Sequence, residues 1–163
     1  MLWRIGEILE FDQQLKWTLD AGFGGVGFHA SAGTPGKWCG VDPSACGALE
    51  RERLRREITR FAFAEIHAPF AIELRNENLA VSAAALMPVL ELANDVGVGL
   101  VTIHATLPRT EPDLAAWVAA MQELDVLAAQ MGIRIALEIA DGFDLVKDWG
   151  LPNGGGTLDV GHM

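Results

Sequence analysis

Four short strand-like runs each end in a side chain that can bind a metal ion. They are Glu65-Ile66-His67, Val101-Thr102-Ile103-His104, Ala136-Leu137-Glu138, and Thr157-Leu158-Asp159-Val160-Gly161-His162. A strand with its returning helix takes roughly 30 residues or more. The intervals from His67 to His104 and from His104 to Glu138 are just above that length, and Asp159 follows after a shorter one. Such spacing brings residues far apart in sequence to the same end of one sheet. Imidazole and carboxylate groups converging there point to a divalent cation, with manganese, magnesium, cobalt and zinc all open at this stage.

With 163 residues the chain reads as one domain, 1–163, long enough to bury a real core. Half of it is hydrophobic and 18 residues are Gly, which fits an α/β protein with many turns rather than a disordered chain. The net charge of −10 argues against a nucleic-acid partner, whose backbone calls for clustered Lys and Arg, although bound cations would cancel part of it. The two cysteines, Cys39 and Cys46, share a Gly/Pro-rich loop without a metal-binding spacing. A disulfide between them stays open, and two reduced thiols in a cytoplasmic protein are the expectation. The first residues lack a signal-peptide pattern, and no uninterrupted apolar run is long enough to span a bilayer, so no membrane is expected.

Strand and helix signals alternate along the chain. Strands are expected at 2–9, 25–28, 61–67, 100–104, 133–139 and 157–160. A helix after Asp12 carries Leu15 and Leu19 and stops at Gly22. A glycine-rich loop follows at 30–43, of a length shared by binding loops and plain insertions. Ser44 is expected to open the next helix, with Leu49, Leu54 and Ile58 turned inward and its alternating charges in solvent. A helix over 78–96 buries Leu86, Leu90 and Ala93, with Pro88 imposing a kink or a later start. The helix after the cap Thr110 has Pro112 in its first turn. Leu114, Trp117, Val118, Met121, Leu124 and Ala128 mark its 3.6-residue period, so Trp117 and Met121 are core. A short helix is expected at 143–148. The strands read as apolar nearly throughout, as for parallel strands covered on both faces. Six such units fit an open doubly wound sheet or part of a (β/α)₈ barrel. The dinucleotide fingerprint is missing, because Gly22-Phe23-Gly24 precedes a strand instead of opening a helix.

At the four ligand-tipped runs the chain resembles the xylose-isomerase-like TIM-barrel superfamily. That group holds sugar and sugar-phosphate isomerases and epimerases, together with the AP endonucleases of the endonuclease IV type. "IHAPF" at 66–70 resembles the third-strand motif, "VTIHA" at 101–105 the fourth, "IALEI" at 135–139 the fifth and "GTLDVGH" at 156–162 the sixth. The resemblance implies metal-ligand roles for Glu138 and Asp159. His67 and His104 match histidines that bind metal in the nuclease branch and line the substrate pocket in the isomerase branch. His162 matches a histidine that holds a further metal or touches substrate. A barrel of this kind takes about 250 residues. The expected fold is therefore an incomplete α/β TIM barrel of about six parallel strands, lacking the last two βα units. The family's seventh-strand histidine region and eighth-strand glutamate have no counterpart, and Gly27 stands where a glutamate is common.

What the resemblance implies for chemistry is a metal-dependent sugar isomerase or epimerase, with Glu138 as the proton-carrying carboxylate. An endonuclease-like metal-dependent hydrolase and a non-catalytic relative are the alternatives. His29, at the end of the second strand, and Trp38 and Phe70, on loops at the same barrel end, are candidates for contact with a carbohydrate. Unpaired strand edges invite another chain. A homo-oligomer, in the simplest case a dimer, is expected to cover the open side.

Overall fold

The computed structural model describes residue 2 and residues 9–34 and 37–157. The expected first strand at 2–9, apart from its two end residues, lies outside the described residues, as do Asp159 and His162. The elements are α1 (Phe11–Asp20), β1 (Gly25–His29), β2 (Gly33–Thr34), β3 (Trp38–Cys39), α2 (Ala48–Ile58), β4 (Phe63–His67) and β5 (Glu73–Leu74). There follow α3 (Leu79–Val96), β6 (Leu100–Ala105), α4 (Glu111–Gln130), β7 (Arg134–Glu138), α5 (Phe143–Val146) and β8 (Gly155–Thr157).

Six strands form one parallel sheet in the order β1-β4-β6-β7-β8, with β5 also paired to β6. That order decides between the two architectures. A doubly wound sheet reverses its strand order at a switch point. Here the strands follow chain order, so right-handed crossovers place the connecting helices on one face. The other face is the inner wall of an incomplete barrel.

Side chains alternate across a strand. Val26, Phe28, Ile66, Val101, Ile103, Ile135 and Leu137 are buried in the core. The alternate set holds Gly27 and His29 on β1, Glu65 and His67 on β4, Thr102 and His104 on β6, and Ala136 and Glu138 on β7. This corrects the expectation of strands apolar on both faces. The alternation is apolar toward the helices and polar or small toward the barrel interior.

The helices follow local rules with identifiable exceptions. In α1 the Gln13 side chain accepts the Glu10 backbone N–H at 3.1 Å, so the helix starts ahead of Asp12, the expected cap. α2 begins after Gly47 and not at Ser44, whose backbone N–H and hydroxyl both bond Asp42 Oδ1 in a turn. Leu54 and Ile58 are buried as expected, but Leu49 is 89% exposed, because five residues before Leu54 it lies about 140° round the helix from the buried face. α3 runs unbroken through Pro88. By length and composition alone, Asn76–Val96 is apolar enough to cross a membrane, but Leu86, Val89, Leu90, Leu92, Ala93 and Val96 give their apolar surface to the core. In α4 the Thr110 hydroxyl caps the Asp113 N–H, and Trp117, Met121, Leu124 and Ala128 are buried.

Two polar side chains of α4 fix the approach to β8. Gln122 Nε2 donates to Trp149 O at 2.7 Å, and the buried Asp125 accepts the Asn153 N–H at 3.1 Å. Trp117 is fully buried, stacks edge-on against Trp149 at 5.2 Å and donates Nε1–H to Leu74 O at 3.3 Å. It therefore ties α4 to both β5 and the segment before β8. Trp117→Ala is expected to cost about 3–5 kcal/mol in denaturant unfolding. Leu49→Ala, in solvent, is expected to stay within about 0.5 kcal/mol.

Candidate metal centre

Register assembles the centre. His29 pairs with His67 across β1 and β4, and His104 with Glu138 across β6 and β7. All four lie on inner-face positions at the strands' C-terminal ends, the end where such barrels place their chemistry. The ligand atoms of His67, His104 and Glu138 lie within 4.8 Å of one another. Glu138 Oε2 is 3.1 Å from His67 Nε2, and Oε1 is 3.3 Å from His104 Nε2.

The orientation of His67 is set by its neighbour. Its Nδ1 lies 2.7 Å from the Ala68 carbonyl oxygen, which can only accept, so Nδ1 carries the proton. In the neutral ring Nε2 then presents a lone pair. That lone pair faces a carboxylate oxygen, and two acceptors at 3.1 Å repel unless a positive centre joins them, either a proton or a metal ion. The donor set therefore fits a divalent cation: three convergent groups, one with its tautomer fixed from outside the site. Two imidazoles and one carboxylate match zinc, cobalt and similar ions better than the all-oxygen shells of magnesium and calcium.

Rings flank the three groups on one side. His29 is buried, with its centroid 4.7 Å from His67, 4.7 Å from Phe70 and 4.9 Å from Trp38. Phe70 also lies 5.4 Å from His67 and 5.2 Å from His104, and about half of it is exposed. Burial, together with the neighbouring His67 and His104, lowers the His29 pKa to about 4, so its ring is neutral at pH 7. Every candidate among the described residues thus meets at one place: His29, Trp38, His67, Phe70, His104 and Glu138. The remaining two, Asp159 and His162, lie outside the described residues.

Trp38 is held by an element that the loop reading did not resolve. β2 and β3 form a small antiparallel hairpin inside the expected 30–43 loop. Gly33 has φ +86°, and a Cβ there would sit 2.2 Å from Trp38 O. A Cβ at Gly40 would sit 2.4 Å from His29 O and 2.7 Å from Ser31 O. Gly33 lets the two short strands close on each other, and Gly40 lets the chain after β3 lie against the end of β1.

Two further carboxylates were missed. Glu73 is paired with His104 in the register. Arg75 and then Thr106 hold its carboxyl below the usual range, and both bond it. Glu65 accepts the Thr102 hydroxyl at 2.6 Å. The signal for Glu65 was the period of two, which puts the residue two before a strand-end ligand on the ligand's own face.

Gly40→Ala is expected to lower stability by about 1–3 kcal/mol, because its methyl meets backbone atoms that cannot move aside. Gly155→Ala faces open space, with nothing within 4 Å of its Cβ. It is expected to change stability by less than about 0.5 kcal/mol. Thermal melts of the two variants check the contrast.

No family model matches the chain, and no curated protein sequence matches it. Solved structures do. A xylose isomerase domain protein from Planctomyces limnophilus matches at 20% identity and a TM-score of 0.69, over 86% of this chain and 56% of that one. A D-psicose 3-epimerase from Clostridium cellulolyticum H10, solved with D-tagatose, gives 14% identity and a TM-score of 0.72, over 99% and 62%. A xylose isomerase-like TIM barrel protein from Mycobacterium smegmatis, solved with magnesium, gives 17% and 0.63, over 96% and 59%. The chain spans about six-tenths of the length of these structures. Its sequential parallel sheet is thus a portion of their barrel, and the chain has the fold of the xylose isomerase-like TIM barrel proteins.

Proposed function

We propose that this chain is a sugar isomerase or epimerase of the xylose-isomerase-like kind and depends on a divalent cation held by His67, His104 and Glu138. The observation that carries the reading is the Glu138 carboxylate set against two imidazole Nε2 atoms at 3.1 and 3.3 Å. A bound cation would polarise a carbonyl or hydroxyl oxygen of the substrate as a Lewis acid. Glu138 turns both oxygens toward the imidazoles, so its first role is to hold the cation. Moving a proton between adjacent substrate carbons requires one of those oxygens to swing toward the substrate. His29, Trp38 and Phe70 offer an uncharged, largely aromatic wall suited to the C–H face of a sugar. The epimerase among the structural neighbours, solved with D-tagatose, supports this substrate class.

A second reading draws on the donor set itself. Two histidines and a carboxylate are also the ligands of hydrolytic zinc sites. An endonuclease-like hydrolase is therefore the alternative, opposed by the net charge of −10. A chain that binds the cation without catalysis is the third possibility.

Metal analysis and calorimetry test the cation. The expected result is one divalent ion per chain, with Glu138→Gln weakening affinity by more than the roughly 10- to 100-fold that loss of an outer partner costs. Unchanged affinity in that variant rejects the site. Incubation with D-tagatose or D-fructose in heavy water tests the chemistry. Deuterium is expected next to the carbonyl by NMR, and none is expected with Glu138→Gln. Cleavage of abasic DNA without deuterium uptake selects the hydrolase, and neither activity selects the non-catalytic relative.

The assembly is part of the proposal. β8 forms one edge of the described sheet. A second copy covering this side is expected to double the mass in sedimentation. A monomer at micromolar concentration rejects the dimer.

A further inference from the structure

We propose that Glu65 is an outer-sphere carboxylate for the cation, a second negative charge beneath the centre that acts on the ion without binding it directly. The inference rests on the metal reading above and concerns a residue outside the triad. Glu65 lies on the same face of β4 as His67 and two residues before it, roughly 7 Å lower along the strand.

Its surroundings give it no charge partner. Thr102 Oγ1, at 2.6 Å, is the one hydrogen bond that its carboxylate makes among the described residues, and no Lys, Arg or His there pairs with it. The carboxylate is partly buried, and its one partner is a neutral hydroxyl. The contrast is Glu73 on the same side of the sheet, where Arg75 cancels the charge locally. Among the described ligands, two neutral imidazoles and Glu138 leave one positive charge of a divalent ion uncancelled. Glu65 supplies the charge that balances it inside the barrel wall.

Connectivity links Glu65 to the ligand above. Thr102 pairs with His67 in the register. The Thr102 carbonyl accepts the Ala68 N–H at 2.8 Å, and the Ala68 carbonyl takes the proton of His67 Nδ1. One residue of β6 therefore orients Glu65 through its hydroxyl and steadies the peptide that orients His67. Thr102 is itself 1% exposed, so this arrangement is built into the wall.

Cobalt(II) alone, titrated into the metal-free full chain, tests the proposal by calorimetry and visible absorption. Glu65→Gln keeps an oxygen for the Thr102 hydroxyl and removes only the charge. Its cobalt affinity is expected to fall by about 10- to 100-fold, as for loss of an outer-sphere partner. The cobalt bands are expected to match wild type, because the ligands are unchanged. The metal-free melting temperature is expected to equal or exceed that of wild type. Thr102→Val is expected to weaken cobalt binding by a smaller factor, and Thr102→Ser to restore it. Affinity within about twofold of wild type in Glu65→Gln overturns the proposal, whatever Thr102→Val does. A shifted cobalt spectrum also overturns it, by making Glu65 a direct ligand. A less stable or unfolded metal-free Glu65→Gln protein overturns it too, by assigning the carboxylate to the fold. Wild-type protein that takes up no cobalt rejects the underlying metal reading instead. Wild-type binding that is lost in Glu138→Gln and kept in Glu65→Gln rejects the present inference alone.

Discussion

The sequential parallel pairing of β4, β6 and β7 is the constraint on which the rest depends. Because those strands follow chain order, their crossovers put the helices on one face and leave the other as a wall. Because they are parallel, their C-terminal ends share one rim. Because the pairing sets His104 opposite Glu138, a carboxylate comes between two imidazoles. A slip of one residue would turn each of these polar side chains into the helix layer and send an isoleucine or leucine to the rim. Register is held on the helix side, where Ile66, Ile103 and Leu137 are packed at 0–1% exposure. The chemistry of one face is thus specified by the packing of the other.

Much of this was legible before any coordinates. The ligand-tipped runs were readable because a strand end is marked twice, by the close of an apolar run and by the spacing that a helix crossover demands. α4 was readable because its cap, its proline and its period agree. The failures are equally specific. Leu49 was placed inward with Leu54 and Ile58, but its spacing from Leu54 puts it on another face of the helix, and the Asp42 turn holds Ser44, the expected first residue, out of the helix. The hairpin carrying Trp38 has only two residues per strand, too few for a periodic pattern, and its determinants are two glycines tolerating close backbone approach. Glu65 and Thr102 were passed over because attention fell on the last residue of each strand. The residue two positions earlier shares its face but carries no mark of its own in the sequence.

The centre divides its labour between rigid and adjustable parts. His67 is fixed by a backbone carbonyl, and His29 and Trp38 by a hairpin lying on β1. Glu138 and His104 are more accessible than His67, and among the described residues no backbone carbonyl holds them as Ala68 holds His67.

The anchor on His67 has one more consequence. The group that sets its ring is the carbonyl of the next residue, which every amino acid possesses. Substituting the Ala68 side chain leaves that acceptor in place as long as the strand end keeps its course. The orienting contact is therefore inherited from chain geometry and is invisible to any comparison of side chains. Two proteins with this strand end can share the same histidine tautomer while sharing no residue at the position that enforces it.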